Sequence, residues 1–397
     1  MSYLEAKRSD LSREEQLDII FQVDKEYARH FEKDFDDSIF YRKIDNFAPK
    51  AHIESVCLAK QDLKSKPRFS IAIPNYRRIE QLKRAIDSAL NQDFDEEYEI
   101  LVVENTDDFN DNSVFDAIIK DYKGKISYYK NKENLGLFGN WNRCFLLSQG
   151  EWMCCLHSDD MLLPPYLKEM RKLVDMDKYA DAALIGCITT HGIHNFKKRH
   201  KFIRNFIPNA YLDRAMGAWG WFGVPNNNGG GGNPIIQPFV IYPNARLHNK
   251  KKCIEFGGYH DDDFYPSEDM FFLARLVHYG YKIYNYKIKP LQVSTRENNY
   301  GTLPKSYLQW GINDSRIFFT LSGKNECGLR NFIGNITSRS NDLKQINCHY
   351  MALFLETIIL YLNNPKGLQN FDIKSEFSES LILQNLLKDP FDVYNLK

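Results

Sequence analysis

The sequence of 397 residues predicts an α/β fold in which a mixed, mainly parallel sheet carries helical extensions at both ends. Two observations support this prediction. Short apolar runs that suit strands alternate with amphipathic helical patterns through the middle of the chain, and the flanking regions show helical spacing only. Because strands that alternate with helices form parallel βαβ units, we expect functional residues just after the strands, at one edge of the sheet.

These patterns divide the chain into three predicted regions. Residues 1–66 alternate charged and apolar positions at helical spacing and are expected to form a helical N-terminal extension. Residues 67–302 contain the alternating strands and helices and form the predicted main domain. Residues 303–397 are expected to form a helical C-terminal region, with the clearest helical pattern over 347–362.

Within the main domain, each predicted strand is an apolar run and each predicted helix has apolar residues three or four positions apart. The strands cover 68–74, 99–103, 126–129, 152–157, 235–241 and 282–293, and the helices cover 79–90, 114–122, 139–148 and 268–279. Three asparagines followed by four glycines at 226–232 suit neither element, so a mobile loop is expected there.

Composition and charge argue against several classes of protein. Lys plus Arg and Asp plus Glu are equal at 52 each, so no overall positive field attracts nucleic acid. The start lacks the apolar core of a signal peptide, and no stretch approaches the roughly 18 to 20 apolar residues of a membrane span. The sequence therefore predicts a cytoplasmic protein, with at most peripheral contact at the inner face of the cell membrane. The eight cysteines lack zinc spacing and are expected to be free.

Two aspartates, Asp159 and Asp160, follow the predicted strand at 152–157. Adjacent carboxylates repel each other unless a cation or hydrogen-bond donors offset their charge. Mg²⁺ or Mn²⁺ takes one or two protein carboxylates and phosphate oxygens, which suits a diphosphate ligand. The alternative is that these acids cap a helix and occupy its first turn.

A second acidic pair, Glu268 and Asp269, begins a predicted helix after Ser267, which can cap that helix. Capping is sufficient to explain one carboxylate of the pair. A carboxylate at this position could instead act as a general base on an acceptor hydroxyl. Both explanations stay open from these residues alone.

An ordered set of short motifs over roughly residues 67–302 resembles the inverting family 2 glycosyltransferases, which have the GT-A fold. The motifs are the strand 70–76, the helix end 88–92, the strand 99–105, the segment 134–136 with Asn140 and Asn142, the acidic segment 158–160 with Pro164, and the positions 232–234 and 268–269. The resemblance implies a Rossmann-like nucleotide-diphospho-sugar transferase domain. It also implies transfer of a sugar, with UDP as the default nucleotide, to a hydroxyl of a glycan or lipid-linked glycan during surface polysaccharide synthesis.

The resemblance assigns nucleotide-binding roles to several residues. It implies that Pro74, Asn75 and Tyr76 border the nucleobase, and that Glu104 accepts a hydrogen bond from the imide of the pyrimidine. The donor-binding set implied by the family motifs also includes Arg78 or its neighbour Arg77, together with Asn134, Asp159 and Arg296.

The resemblance also implies the catalytic and metal-binding residues. Asp160 would ligate Mn²⁺ or Mg²⁺, and its neighbour Asp159 would contact the same cation or the donor. Asp269 would be the catalytic base, supported by Glu268. A single displacement by the acceptor hydroxyl would then invert the anomeric centre.

Three positions depart from the family pattern. Glu104 is one methylene longer than the usual aspartate, His157 replaces the first acid of the metal motif, and Arg296 replaces a histidine. A cationic Arg296 could contact the diphosphate directly and so weaken the metal dependence. We expect His157 to be a hydrogen-bonded residue at the end of its strand and not a ligand.

Other interpretations remain at this point. Aromatic residues Trp219, Trp221 and Phe222 could stack on an acceptor sugar or belong to the core. A non-catalytic module that binds sugar nucleotides or glycans could share the fold. Such a module is expected to lack the carboxylates that bind the metal or the carboxylate that acts as the general base. A nucleotidyltransferase needs a glycine-rich loop after the first strand, which 74–78 does not supply. The helical extensions are candidate surfaces for a homodimer.

Overall fold

The computed structural model describes residues 10–32, 43–191, 244–260, 268–295, 304–321, 326–363 and 377–388. The chain forms two compact units, one of Lys43–Asn298 and one that combines Met1–Arg42 with Asn299–Lys397. Both predicted extensions thus contribute to a single unit. The predicted boundary between residues 66 and 67 lies inside the other unit, which begins at Lys43.

The unit Lys43–Asn298 is built on a nine-stranded sheet of described residues, with the strand order β1-β4-β3-β2-β5-β8-β7-β9-β6. The strands are β1 (Ser55–Ala59), β2 (Phe69–Tyr76), β3 (Glu99–Asn105), β4 (Ser127–Asn131), β5 (Trp152–Cys155), β6 (Asp160–Leu162), β7 (Ala182–His191), β8 (Arg246–Asn249) and β9 (Lys282–Ser294). Strands β4, β3, β2 and β5 run parallel, as do β7 and β9, and the remaining pairs are antiparallel. The predicted mixed α/β sheet with a parallel centre is confirmed.

The α-helices that the structure describes are numbered in chain order. Those of the sheet unit are α2 (Glu80–Leu90), α3 (Ser113–Tyr122), α4 (Gly136–Leu147), α5 (Tyr166–Val174), α6 (Lys250–Phe256) and α7 (Glu268–His278). Those of the other unit are α1 (Arg13–Tyr27), α8 (Pro304–Leu321), α9 (Glu326–Gln345), α10 (His349–Asn363) and α11 (Leu381–Lys388).

The centre of the sheet is buried on both faces, which explains its continuous apolar strands. Ile71 and Ile73 of β2 pack in a core cluster with α2, α3 and α5, whereas Ala72 packs in a second cluster with α4, α6 and α7. Helix α2 shows the matching helical period, because its buried residues are Leu82, Ala85, Ile86 and Ala89. The alternating pattern in the sequence therefore reflects one sheet with helices on each side.

Strand β1 corrects the prediction that residues 1–66 are only helical. It pairs antiparallel with β4, with Ser55 opposite Asn131. The strand is five residues long and only half-buried, and Cys57 at its centre is exposed. A short edge strand of this kind lacks the buried apolar run that marks the other strands, so its sequence does not distinguish it from a helical segment.

The second unit is helical in the residues that the structure describes. Ile20 and Val23 of α1 share one core cluster with Leu308 of α8, Ile336 of α9 and Phe354 of α10. Ser12 and Glu15 form a reciprocal capping box at the start of α1, which explains where this helix begins. Among the described helices, none combines the length and apolar character needed to cross a membrane. The cysteines whose side chains are described are free thiols.

Candidate active site

The carboxyl ends of the parallel strands gather most of the predicted site residues at one edge of the sheet. Asn75 and Tyr76 end β2, Asn105 ends β3, and the segment 157–160 follows β5. These strands are hydrogen-bonded neighbours in the order β3-β2-β5. The structure thus brings the predicted nucleobase residues and the predicted metal ligands to adjacent positions, as expected for parallel strands.

His157, Asp159 and Asp160 form a compact group of possible metal ligands. One ligand atom from each residue lies within 4.8 Å of the others. Both aspartates are only 6% exposed. Asp160 opens strand β6 and pairs with Ser294 of β9, so the alternative that this pair caps a helix is wrong.

The two carboxylates are compensated to different extents. Asp159 forms an ion pair with Arg78, with 2.8 Å between Oδ2 and Nη1. Asp160 Oδ1 accepts a hydrogen bond of 2.9 Å from the backbone N–H of Thr295. Burial and the charge of Asp159 nevertheless raise the pKa of Asp160 to about 7. Charge at this site is therefore under-compensated by the described residues, and a cation would relieve the cost.

His157 is predicted to be a hydrogen-bonded residue at the end of its strand, and the structure shows this for its backbone but not for its ring Nε2. Its backbone N–H donates to Asn244 Oδ1 at 2.9 Å, but its ring Nε2 is buried without a hydrogen-bond partner among the described residues. The ring lies 4.7 Å from the ring of Trp141. Burial lowers the pKa of His157 to about 4, which keeps the imidazole neutral and its lone pair available to a metal.

Asn75 is a second buried polar group without a partner. Its side chain is 1% exposed, and neither Oδ1 nor Nδ2 has a hydrogen-bond partner among the residues that the structure describes. An unsatisfied buried amide costs about 1 to 3 kcal/mol, so such a group points to a ligand. Pro74 precedes it and Tyr76, which is 41% exposed, follows it.

Asp107 organises the exposed rim beside Asn75, and the sequence did not single it out. Its carboxylate accepts hydrogen bonds from Tyr76 Oη at 2.5 Å and from Asn134 Nδ2 at 2.6 Å, and it pairs with Arg77. These hydrogen bonds, from Tyr76 first, lower the pKa of Asp107. Arg77 adopts a left-handed backbone with φ of 59°. The sequence does not distinguish Asp107 from the neighbouring acids, such as Asp108, so it gives no reason to choose Asp107 as a site residue.

Glu104, the residue implied to accept from the nucleobase, is 3% exposed. Its carboxylate accepts a hydrogen bond from the hydroxyl of Tyr128. Burial is the main cause that raises the pKa of Glu104. It stands opposite Asn75 in the parallel register of β2 and β3.

An asparagine network joins β3, β4 and the start of α4. Asn105 Oδ1 accepts from Asn131 Nδ2 at 3.1 Å and from the N–H of Leu135 at 2.9 Å. Asn105 Nδ2 donates to Asn134 Oδ1 at 2.6 Å and to Gly136 O at 3.1 Å. The network fixes the position of Asn134, which in turn holds Asp107.

The second acidic pair lies at the start of α7, and its members differ in accessibility. Asp269 is 15% exposed at its side chain, whereas Glu268 is fully buried. Asp269 Oδ2 lies 3.4 Å from Nη2 of Arg246, a fully buried residue of β8. Arg246 stands opposite Cys155 in the antiparallel register, next to the strand that leads to His157.

The sequence does not indicate a functional role for Arg246, because it is a single arginine outside any recognised motif. Its positive charge contributes to the lowered pKa of His157, after burial. It therefore acts electrostatically on the metal-ligand group while it contacts Asp269. Arg296, Ser267, the aromatic residues at 219–222, the loop at 226–232 and the strand predicted at 235–241 lie outside the described residues.

Comparison with known proteins finds a family model that matches part of this chain. Residues 70–230 match the sequence model described as "Glycosyl transferase family 2". The chain is 30% identical over 120 residues to an uncharacterized glycosyltransferase of Methanocaldococcus jannaschii, which covers 29% of this chain and 40% of that protein. It is 31% identical over 105 residues to the poly(ribitol-phosphate) beta-N-acetylglucosaminyltransferase TarP of Staphylococcus aureus, which covers 26% and 32%. The match therefore spans two fifths or less of these relatives.

Among solved structures, the mannosyltransferase PcManGT of Pyrobaculum calidifontis, in complex with GDP-Man and Mn²⁺, aligns over 94% of this chain and 96% of its own. The identity is 11% and the TM-score is 0.47, too low to assign any residue. The matched segment 70–230 contains Asn75, Glu104, Asp159 and Asp160, and the sheet is of the mixed, mainly parallel kind that the resemblance implies. These findings support a glycosyltransferase domain of the family 2 type in this part of the chain.

Proposed function

We propose that this protein transfers a sugar from a nucleotide diphosphate donor, with UDP as the default nucleotide, to a hydroxyl of a glycan or lipid-linked glycan with inversion. Assembly of a surface polysaccharide is the proposed context. The observation that carries the proposal is the group His157, Asp159 and Asp160, which follows β5, while the neighbouring strand β2 carries the unpartnered amide of Asn75. A cation site next to a nucleobase site suits a nucleoside diphosphate.

His157, Asp159 and Asp160 fit a divalent cation, because the group offers one imidazole and two carboxylates that burial destabilises. Mn²⁺ accepts both kinds of ligand more readily than Mg²⁺ does. When bound, the cation supplies positive charge that stabilises the departing nucleoside diphosphate. Arg78, which is partly exposed, contributes a second positive charge through its ion pair with Asp159.

The nucleobase is proposed to contact the residues at the ends of β2 and β3. Asn75 offers both a donor and an acceptor for the edge of the base. Tyr76 offers an exposed ring on which the base can stack, and its hydroxyl is already held by Asp107. Glu104 stands opposite Asn75 and would accept from the imide, after exchange of its bond to Tyr128.

Asp269 is proposed to remove the proton from the acceptor hydroxyl. Its partial exposure allows contact with an acceptor, and the 3.4 Å contact with Arg246 orients the carboxylate. Glu268 is fully buried and would act through the position of the helix start. Attack by the acceptor oxygen on the anomeric carbon breaks the bond to the diphosphate in one displacement, which inverts that carbon.

The proposal is tested by a screen of UDP, GDP, dTDP and CMP sugars for binding and for hydrolysis or transfer, with and without Mn²⁺. The wild type is compared with Asp160→Ala and Asp269→Ala, and Asp116→Ala on the exposed surface of α3 is the control. We expect Asp160→Ala to weaken donor binding in Mn²⁺. Asp269→Ala should retain donor binding and lose transfer.

Two results would contradict the proposal. Binding of a sugar nucleotide without turnover, under conditions in which Asp269→Ala behaves as the wild type, would support the binding-module alternative. Absence of binding to every sugar nucleotide would show that the carboxylates have a structural role only.

A further inference from the structure

The strand that carries Asp160 is short and lies at the edge of the sheet. Strand β6 has three residues and is the last strand in the order, so β9 is its only strand neighbour among the described residues. The N–H of Leu163 donates toward β9, to Leu291 O at 2.8 Å. Because N–H groups alternate in direction along an antiparallel strand, that of Leu162 points away from the sheet. An edge of this kind needs other partners.

Two side chains near the end of α2 supply those partners. Ser88 Oγ accepts from the N–H of Leu162 at 3.0 Å, and Gln92 Nε2 donates to Leu163 O at 3.2 Å. Gln92 Oε1 accepts from the N–H of Leu167, in the first turn of α5, at 3.1 Å. Ser88 and Gln92 thus bond the segment on both sides of its turn into α5.

The two side chains are themselves fixed in direction. The hydroxyl of Ser88 donates to Ala85 O at 2.7 Å, so its lone pairs face Leu162. Gln92 Nε2 also donates to Ser88 O at 3.0 Å, which links the two residues across one helical turn. Both residues are half-buried, where such bonds compete less with water. They replace the strand that β6 lacks.

We propose that Ser88 and Gln92 are positioning residues that hold β6 so that the carboxylate of Asp160 faces His157 and Asp159. This inference rests on the proposed function, because it treats Asp160 as a metal ligand. From the other side, Asp160 pairs with Ser294 of β9 and accepts a hydrogen bond from the N–H of Thr295, the residue that follows this strand. The helix and β9 clamp the strand between them. These contacts give a structural role to the motif at 88–92, to which no binding or catalytic role is assigned.

The test measures Mn²⁺ affinity of the metal-free protein from the electron paramagnetic resonance signal of unbound Mn²⁺. The variants are Ser88→Ala, Gln92→Ala and the conservative Ser88→Thr, which keeps the hydroxyl. Gln81→Ala is the matched control, since Gln81 is a half-buried glutamine of the same helix whose side chain makes no hydrogen bond to the described residues. Circular dichroism at the assay temperature confirms that each variant is folded.

Loss of an outer residue that orients a metal ligand typically lowers metal affinity by about 10- to 100-fold. We expect Ser88→Ala and Gln92→Ala to show a loss of this order, with Ser88→Thr and Gln81→Ala close to the wild type. UDP binding without metal should be unchanged in all variants, because the nucleobase residues lie on other strands.

Three outcomes would overturn the inference, and they are distinguishable. If the wild type binds Mn²⁺ and both alanine variants bind it equally well, Ser88 and Gln92 stabilise the fold only, and the proposed function stands. If the wild type binds no Mn²⁺, the metal site of the proposed function fails and the inference fails with it. An equal loss in Gln81→Ala would also overturn it, because the effect would then belong to the helix as a whole.

Discussion

Replacing Asn105 with alanine tests whether the asparagine network supports the nucleotide site. Asn105 is 4% exposed and makes hydrogen bonds to Asn131, Leu135, Asn134 and Gly136. Alanine removes both ends of this side chain while the backbone of β3 remains. The free energy of unfolding and the affinity for UDP should both fall.

The size of the expected loss of stability depends on whether each former partner of Asn105 can form a hydrogen bond with water instead. Leu135 and Asn131 are fully buried, so the N–H of Leu135 and the amide of Asn131 would each lose a bond in the interior. A buried group left unsatisfied costs about 1 to 3 kcal/mol. Asn131 keeps its bond to Asn140, which places it at the low end. Asn134 is exposed and can bond to water. The total is about 2 to 4 kcal/mol.

Urea unfolding followed by tryptophan fluorescence measures this loss, and isothermal titration measures UDP affinity. Asn110→Ala is the matched control, because Asn110 is an exposed asparagine that follows the same strand. A loss below about 0.5 kcal/mol, which is typical of surface substitutions, would refute the reasoning. Unchanged UDP affinity in a destabilised variant would show that the network supports the fold but not the rim at Asp107.

Three further predictions concern stability. Asp24→Ala should cost about 1 to 2 kcal/mol, because Asp24 accepts hydrogen bonds from the first N–H groups of α11; hydrogen exchange should show faster exchange in α11. Gly150→Ala should reduce the free energy of unfolding by roughly 1 to 3 kcal/mol and so lower the melting temperature, because the added Cβ would lie 2.7 Å from the backbone nitrogen of Ser70. Burial lowers the pKa of His248 from 6.5 to about 3, so the unfolded chain takes up a proton between these pH values that the folded protein does not. The free energy of unfolding should therefore fall by about 1.4 kcal/mol per pH unit as the pH decreases through that window, and His248→Gln should reduce the slope.

Each of these predictions has a result that would contradict it. Equal exchange of α11 in Asp24→Ala and in the exposed control Asp18→Ala would show that Asp24 does not cap this helix. An unchanged melting temperature in Gly150→Ala would mean that the turn moves away from β2 at no cost. A pH slope that stays the same in His248→Gln would assign acid destabilisation to other groups.

The alternating fold was predictable because its central strands are buried on both faces. Residues 100–103 are continuously apolar for that reason, and the structure places β3 at Glu99–Asn105. Strand β1 was not predictable, since Ser55–Ala59 is half-buried and its pairing with β4 depends on contacts distant in sequence. Local patterns likewise give no sign that Met1–Arg42 and Asn299–Lys397 belong to one unit.

In the candidate site, the sequence indicated several of the acidic residues but not the side chains that contact them. Asp159 and Asp160 were recognisable because two acids after an apolar strand are unusual. Arg246 reaches Asp269 only through the pairing of β8 with β5, which no local pattern reveals. His157 was expected to be hydrogen-bonded, and only the packing around it shows a buried Nε2 without a partner among the described residues.

The central claim is that a cation binds between His157, Asp159 and Asp160 together with the nucleotide. The most direct measurement is the anomalous scattering of Mn²⁺ in crystals of the wild type soaked with MnCl₂ and UDP. The account predicts a peak within roughly 2.0 to 2.3 Å of ligand atoms from this group, with a diphosphate oxygen completing the coordination. A nucleotide bound at Asn75 with no anomalous peak at these residues, or with the peak elsewhere, would contradict it.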